Sequence, residues 1–163
     1  MSENIVQLES VLSEELLLFT SILRLEKEKS DAIIKKNGHL MQTLSREQEE
    51  NVSKINSIEK ARKKLTSHYL KDNSIEKITL TDIASIEGIP DGTIAQIGAL
   101  LKKTITKIRA LQETNAKMIN DNLEYFKKMI KEVKNSVSME TGYSEKGMEN
   151  AKTVNSFILD KKI

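Results

Sequence analysis

Apolar residues recur at helical spacing along most of the chain. Ile5, Leu8, Val11, Leu12, Leu16, Phe19, Ile22 and Leu23 fall three and four residues apart, and Ala32, Ile33 and Ile34 continue the run. That spacing puts them on one stripe of an amphipathic helix. Ser2 offers an N-cap and Glu3 a carboxylate at the positive end of the helix dipole, so a helix is predicted over 3–36. Lys35 and Lys36 suit its last turn, and Asn37-Gly38 is expected to supply the left-handed residues that end it. The pattern resumes at Leu40, Met41 and Leu44 and continues through Val52, Ile55, Ile58, Ala61, Leu65 and Tyr69, which predicts a second helix over 39–70. So short a connection forces two long helices antiparallel. Gln48 and Asn51 interrupt the second stripe, and polar residues within a helical seam set its register.

Residues 71–78 lose the period and carry Asp-Asn-Ser, a loop composition. Thr79-Leu80-Thr81-Asp82 opens a short helix over 80–87. Gly88-Ile89-Pro90-Asp91-Gly92 then breaks the chain, because proline lacks a backbone donor and the glycines accept turn geometry. A third long stripe occupies 93–135, from Ile94, Ile97 and Leu101 through Ile108 and Leu111 to Leu123, Phe126, Met129 and Val133. It is expected to match the earlier helices in length and to bury a seam shared by all three. Asn115 and Asn122 lie seven residues apart on that stripe. They read either as register-setting positions or as hydrogen-bonding groups open in a groove.

The predicted fold class is therefore all-α: an elongated antiparallel three-helix coiled-coil-like bundle over 1–135. A flexible partner-binding tail is expected over 136–163. Ser136, Ser138, Thr141, Gly142, Ser144 and Gly147 dilute the apolar content there. Val154, Phe157 and Ile158, with Leu159 beside them, then form an amphipathic cluster too small to hold a helix alone. Such a cluster either docks on the bundle or waits for a partner.

Composition supports a rod over a thick core: 31% of residues are charged and 4% aromatic. The chain has no cysteine, which excludes disulfides and thiolate metal sites. No signal-peptide pattern and no membrane-length apolar run is visible, so a cytoplasmic protein is expected. Twenty-six basic residues nearly balance 24 acidic ones, leaving little pull toward phosphate backbones. The densest basic run, Lys60-Ala61-Arg62-Lys63-Lys64, spreads around a helix at 3.6 residues per turn and reads as a solvated surface, not a nucleic-acid stripe. His39 and His68 lack ligand partners at metal spacing. Glu47, Glu49 and Glu50 read as solubilising charge. With no phosphate loop and no nucleophile elbow, neither an enzyme, a cofactor nor a metal is expected.

Five segments, in order, resemble the FlgN family of flagellar export chaperones. They are the Leu-rich first helix with Ile33-Ile34, Asn37-Gly38, Leu40 and Leu44; Ile58-Glu59-Lys60-Ala61-Arg62, similar to a Leu-Glu-x-x-Arg motif; the Thr79-Leu80-Thr81-Asp82-Ile83 connector; Leu111, Asn115, Met118-Ile119, Leu123 and Tyr125; and Thr141 to Gly147, similar to a Tyr-x-x-x-Gly motif. Ile58 stands where Leu is commoner, and Gly142 precedes Tyr143. The resemblance covers nearly the whole chain. It implies a chaperone, monomeric or weakly dimeric, that binds hook–filament junction proteins of the FlgK and FlgL kind and delivers them to the export gate FlhA. It further implies that Tyr143 and Gly147 dock to the gate, while Val154, Phe157, Ile158 and Leu159 grip substrate. Two other readings stand beside it. A coiled-coil scaffold would oligomerise through its seams, and a nucleic-acid binder using Lys60 to Lys64 would show steep salt dependence.

Overall fold

The computed structural model describes residues 2–73 and 77–137. They form four helices: α1 (Glu3–Ile34), α2 (Gly38–Asn73), α3 (Leu80–Ile86) and α4 (Thr93–Val137). Among the described residues there is no strand, and the fold is all-α. Close packing joins α1 to α2, α1 to α4, and α3 to α4, so α1 is the helix that both long partners share.

Polar pairs fix the helix directions. Along α1, Glu15, Ser21 and Arg24 meet Arg62, Asn51 and Glu47 in turn; partner numbers fall as α1 rises, so α2 runs against it. Ser2 meets Glu87, and Ser30 meets Asn115. Glu87 closes α3, six residues before α4 begins, and Asn115 lies at the middle of α4, so α4 runs alongside α1 in the same direction. The main core lies between them: Ile5, Leu8, Leu12, Phe19 and Ile22 from α1 pack with Ile55 and Tyr69 of α2, Ile83 of α3, and Ile94, Leu101 and Ile108 of α4. A second, smaller cluster of Leu25, Ala32 and Leu44, with Met41, sits at the α1–α2 turn.

The turn forms differently from expectation. Asn37-Gly38 was expected to carry the left-handed conformation, but Lys36 does so at φ 53°. Lys36 N–H donates to Ile33 O and Asn37 N–H to Ala32 O, the paired bonds that satisfy the last carbonyls of a helix in a Schellman motif. Asn37 is instead committed to starting α2: its Oδ1 accepts from Leu40 N–H at 3.0 Å, an N-cap that only a short polar side chain supplies.

Ser2 departs in a similar way. It occupies the N-cap position of α1, yet its side chain makes no cap bond; the hydroxyl donates to Glu87 Oε1 at 3.0 Å. Tyr69 OH donates to the same oxygen at 2.8 Å. One carboxylate therefore ties the start of α1, the end of α2 and the end of α3. Burial, and then the Glu87 hydrogen bond, push the Tyr69 phenol above its ordinary pKa.

Helix α3 starts with a capping box. Asp82 N–H donates to Thr79 Oγ1 at 3.1 Å, and Thr79 N–H returns a bond to Asp82 Oδ2 at 2.8 Å. The Thr79 hydroxyl, followed by its backbone amide, holds the Asp82 carboxyl below the ordinary aspartate range. A lowered folded-state pKa contributes stability that is complete above the unfolded value and is lost as pH falls through the folded one. Acidification below about pH 4 is therefore expected to weaken α3, read as lower amide-exchange protection factors in α3 than at neutral pH. Thr79→Ala should cost about 1 kcal/mol and abolish that acid-dependent component.

Candidate partner-binding groove

Two features on either side of α1's last turns compose the site: a buried polar cluster and an open apolar groove. Glu26 and Lys29 of α1, Gln48 of α2 and Asn115 of α4 are all buried. Asn115 Nδ2 donates to Glu26 Oε1 at 2.8 Å and to Glu26 O at 3.1 Å, while its Oδ1 accepts from Ser30 Oγ at 2.7 Å. Gln48 Nε2 donates to Glu26 Oε2, and Gln48 Oε1 accepts from Lys29 Nζ at 3.0 Å. Lys29 Nζ also lies 3.9 Å from Glu26 Oε2. Three helices thus meet on one carboxylate, and a one-turn slip of any helix would strand a buried charge. Such a cluster specifies alignment.

The two readings of Asn115 and Asn122 divide between the residues. Asn115 sets the register; Asn122 is exposed and lines the groove. Gln48 and Asn51 are both buried in the seam, with Asn51 Nδ2 donating to Ser21 Oγ at 3.1 Å.

Beyond the cluster the third stripe loses its cover. Helix α4 has 45 residues against 32 in α1 and 36 in α2, so it is longer than both and not, as its stripe suggests, matched to them. At the Ser30–Asn115 offset, α1 runs out near residue 119 of α4, and α4 continues without it. Tyr125, Phe126, Met129 and Val133 are 65%, 45%, 42% and 56% exposed. Between this overhang and the α1–α2 turn lies a groove of about 600 Å³. Ala32, Ile33 and Met41 line the hairpin side, and Ile119, Leu123, Phe126 and Met129 the α4 side. Lys36 Nζ sits 5.7 Å from the Tyr125 ring centroid at its mouth, within cation–π range.

This groove was not foreseen, although its residues stood in the stripes. The basic run also divides. Lys60, Lys63 and Lys64 are exposed as expected, but Arg62 turns inward, its Nε 3.4 Å from Oε2 of fully buried Glu15. The arginine of the Ile58-Glu59-Lys60-Ala61-Arg62 segment is thus a helix-pairing residue. His39 and His68 are exposed, and no metal-binding group of His, Cys, Asp or Glu occurs among the described residues. Glu47 binds Arg24 across the α1–α2 surface at 3.1 Å. No described helix is long and apolar enough to cross a membrane. Tyr143, Gly147, Val154, Phe157, Ile158 and Leu159 lie outside the described residues.

Among known families, the model for the FlgN protein matches residues 1–151. No curated protein and no solved structure matches.

Proposed function

The chain belongs to the FlgN family, whose general role is that of a flagellar export chaperone, and from that premise we propose that it binds hook–filament junction proteins of the FlgK and FlgL kind. It keeps them from assembling early in the cytoplasm and delivers them to the export gate FlhA. It works by binding alone, without covalent chemistry, as a monomer or weak dimer.

The observation that carries this reading is the overhang of α4. An apolar groove flanked by a half-exposed helical stripe is the receiving half of a helix-in-groove contact, in which anchors three and four residues apart drop into the opening. Patches of this kind mark interaction sites on soluble proteins. The cargo helix lies against Phe126 and Met129, and Asn122 offers its amide to the cargo backbone or side chains. Val154, Phe157, Ile158 and Leu159 add apolar contacts to bound cargo, while Tyr143 and Gly147 dock to the gate.

Mixing the purified full chain with FlgK-like and FlgL-like proteins, intact and lacking their C-terminal helices, tests the reading. A discrete complex with the intact proteins and at least tenfold weaker binding to the shortened ones is expected. Equal affinity for both, or self-association of the chain through its seams with no cargo complex, would favour the scaffold reading.

A further inference from the structure

We propose that a cleft between α2 and α4, beside α3, is a second docking site that takes an acidic amphipathic helix of a protein partner. Thr66 of α2 lines this cleft and Ser45 of α2 lines the groove at the α4 overhang, which sets the two openings roughly 30 Å apart at ~1.5 Å per residue. They share no residue, so docking here is independent of cargo docking at the overhang.

The shape of the cleft follows from the helix packing. Helices α2 and α4 both pack on α1 and not closely on each other, and beside α3 this leaves an opening of about 640 Å³. Lys63 and Thr66 stand on its α2 side, Ala99 and Lys102 on its α4 side, and Lys77 and Ile78 come from the segment leading into α3. The α4 side is low. Ala95 and Ala99 lie one turn apart, and Gly98 beside them carries no side chain: a Cβ there would lie 3.1 Å from Leu80 Cδ1. Leu80 therefore beds onto α4 and, with Ile78, gives the cleft an apolar floor. Helix axes approach more closely where the contact residues are small, so a slot flanked by two helices with a low, apolar floor accepts a third helix laid along it.

Charge selects the kind of helix. Among the described residues that line the cleft there is no carboxylate. The bias extends along both sides. Residues 60–71 carry Lys60, Arg62, Lys63, Lys64 and Lys71, residues 93–112 carry Lys102, Lys103, Lys107 and Arg109, and neither stretch holds an Asp or Glu. A chain that is nearly neutral as a whole thus has one strongly basic end. Arg62 is committed to buried Glu15, but Lys63, Lys77 and Lys102 are exposed and form no ion pair with a described carboxylate. Asp82, at the start of α3, is held by Thr79. Uncompensated ammonium groups around an apolar floor match carboxylates placed beside apolar anchors. A phosphate backbone would satisfy the lysines alone and leave the floor bare.

The probe is a helical peptide of about 15 residues, near the shortest length at which an isolated helix forms. It has leucines at three- and four-residue spacing and glutamates beside them. Added to the full chain, it is expected to shift the amide signals of Lys63, Thr66, Ile78, Ala99 and Lys102, and to leave those of Leu123 and Phe126 in place. Replacing its glutamates with glutamines should weaken binding by about tenfold or more in titration calorimetry. Lys63→Glu combined with Lys102→Glu should do the same to the acidic peptide. Ala99→Trp fills the slot from an exposed position and should block the peptide with the melting temperature unchanged. Equal affinity for the glutamine peptide, or for an unstructured peptide of glutamates alone, would overturn the proposal. So would peptide shifts at Leu123 and Phe126 in place of the cleft signals, or undiminished binding to Ala99→Trp. Duplex DNA binding more tightly than the peptide at the same salt would overturn it by making this end a phosphate-binding surface. Cleft signals that shift as the chain alone is concentrated would overturn it by assigning the cleft to a second copy.

Discussion

Glu26→Ala is expected to destabilise the protein by about 3–5 kcal/mol, the cost of removing one member of a buried ion pair and leaving the other uncompensated. The Glu26 carboxylate is fully buried and receives bonds from Asn115 and Gln48, with the Lys29 ammonium 3.9 Å away. Truncation leaves Lys29 charged in the seam and frees one donor each on Gln48 and Asn115. For a chain of this length, the loss corresponds to a melting temperature lower by roughly ten degrees, readable by circular dichroism. Glu26→Gln keeps the shape and one acceptor and should lose distinctly less. Replacing Glu26, Lys29, Gln48 and Asn115 together with apolar residues should recover much of the loss, because it removes the desolvation penalty along with the bonds. The Arg24 pairs with Glu28 and Glu47 make a useful contrast. They are solvent-exposed, so Arg24→Ala should change stability little and 0.5 M salt should erase what change there is, whereas the Glu26 effect should persist in salt. A Glu26→Ala loss below about 1 kcal/mol would mean that the cluster is hydrated or slack.

Phe126→Asp is expected to weaken cargo binding by a factor of about 100, or some 2.7 kcal/mol, the scale of an interface hot spot. Phe126 is 45% exposed in the free protein and lies on the overhang, so the substitution should leave helix content and thermal stability nearly unchanged. Tyr125→Ala removes the ring beneath Lys36 and should instead lower stability by about 0.5–1 kcal/mol, the contribution of an exposed cation–π contact within the chain, with a smaller effect on cargo affinity. Titration calorimetry against an intact hook-associated protein separates the two. Affinity unchanged by Phe126→Asp would remove the groove from cargo recognition.

The helices were legible because their apolar spacing states them directly, and the polar seam was half legible. Gln48, Asn51 and Asn115 stood out as polar residues on apolar stripes, and all three are buried. Glu15, Glu26 and Lys29 did not stand out, since a charge next to a stripe looks like its solvated edge. Only the tertiary partners, Arg62 for Glu15 and Gln48 and Asn115 for Glu26, reveal that these charges face inward. The groove was invisible for a related reason. The stripe of α4 keeps its period past Asn115, and nothing local marks where its cover ends. That point is fixed by where α1 stops, through Lys36 in a left-handed conformation on another segment. The same holds for Ser2 and Tyr69, whose shared acceptor Glu87 lies far along the chain.

The polar layer around Glu26 has one more consequence. It interrupts the apolar seam just past Leu25, and toward the turn only Ala32, Leu44 and Met41 of the small cluster follow, so the tip of the hairpin rests on few apolar contacts of its own. Regions with so few contacts breathe at free energies well below global unfolding. The turn end of the hairpin can therefore open and close locally while the far end, clamped through Glu87, holds its shape.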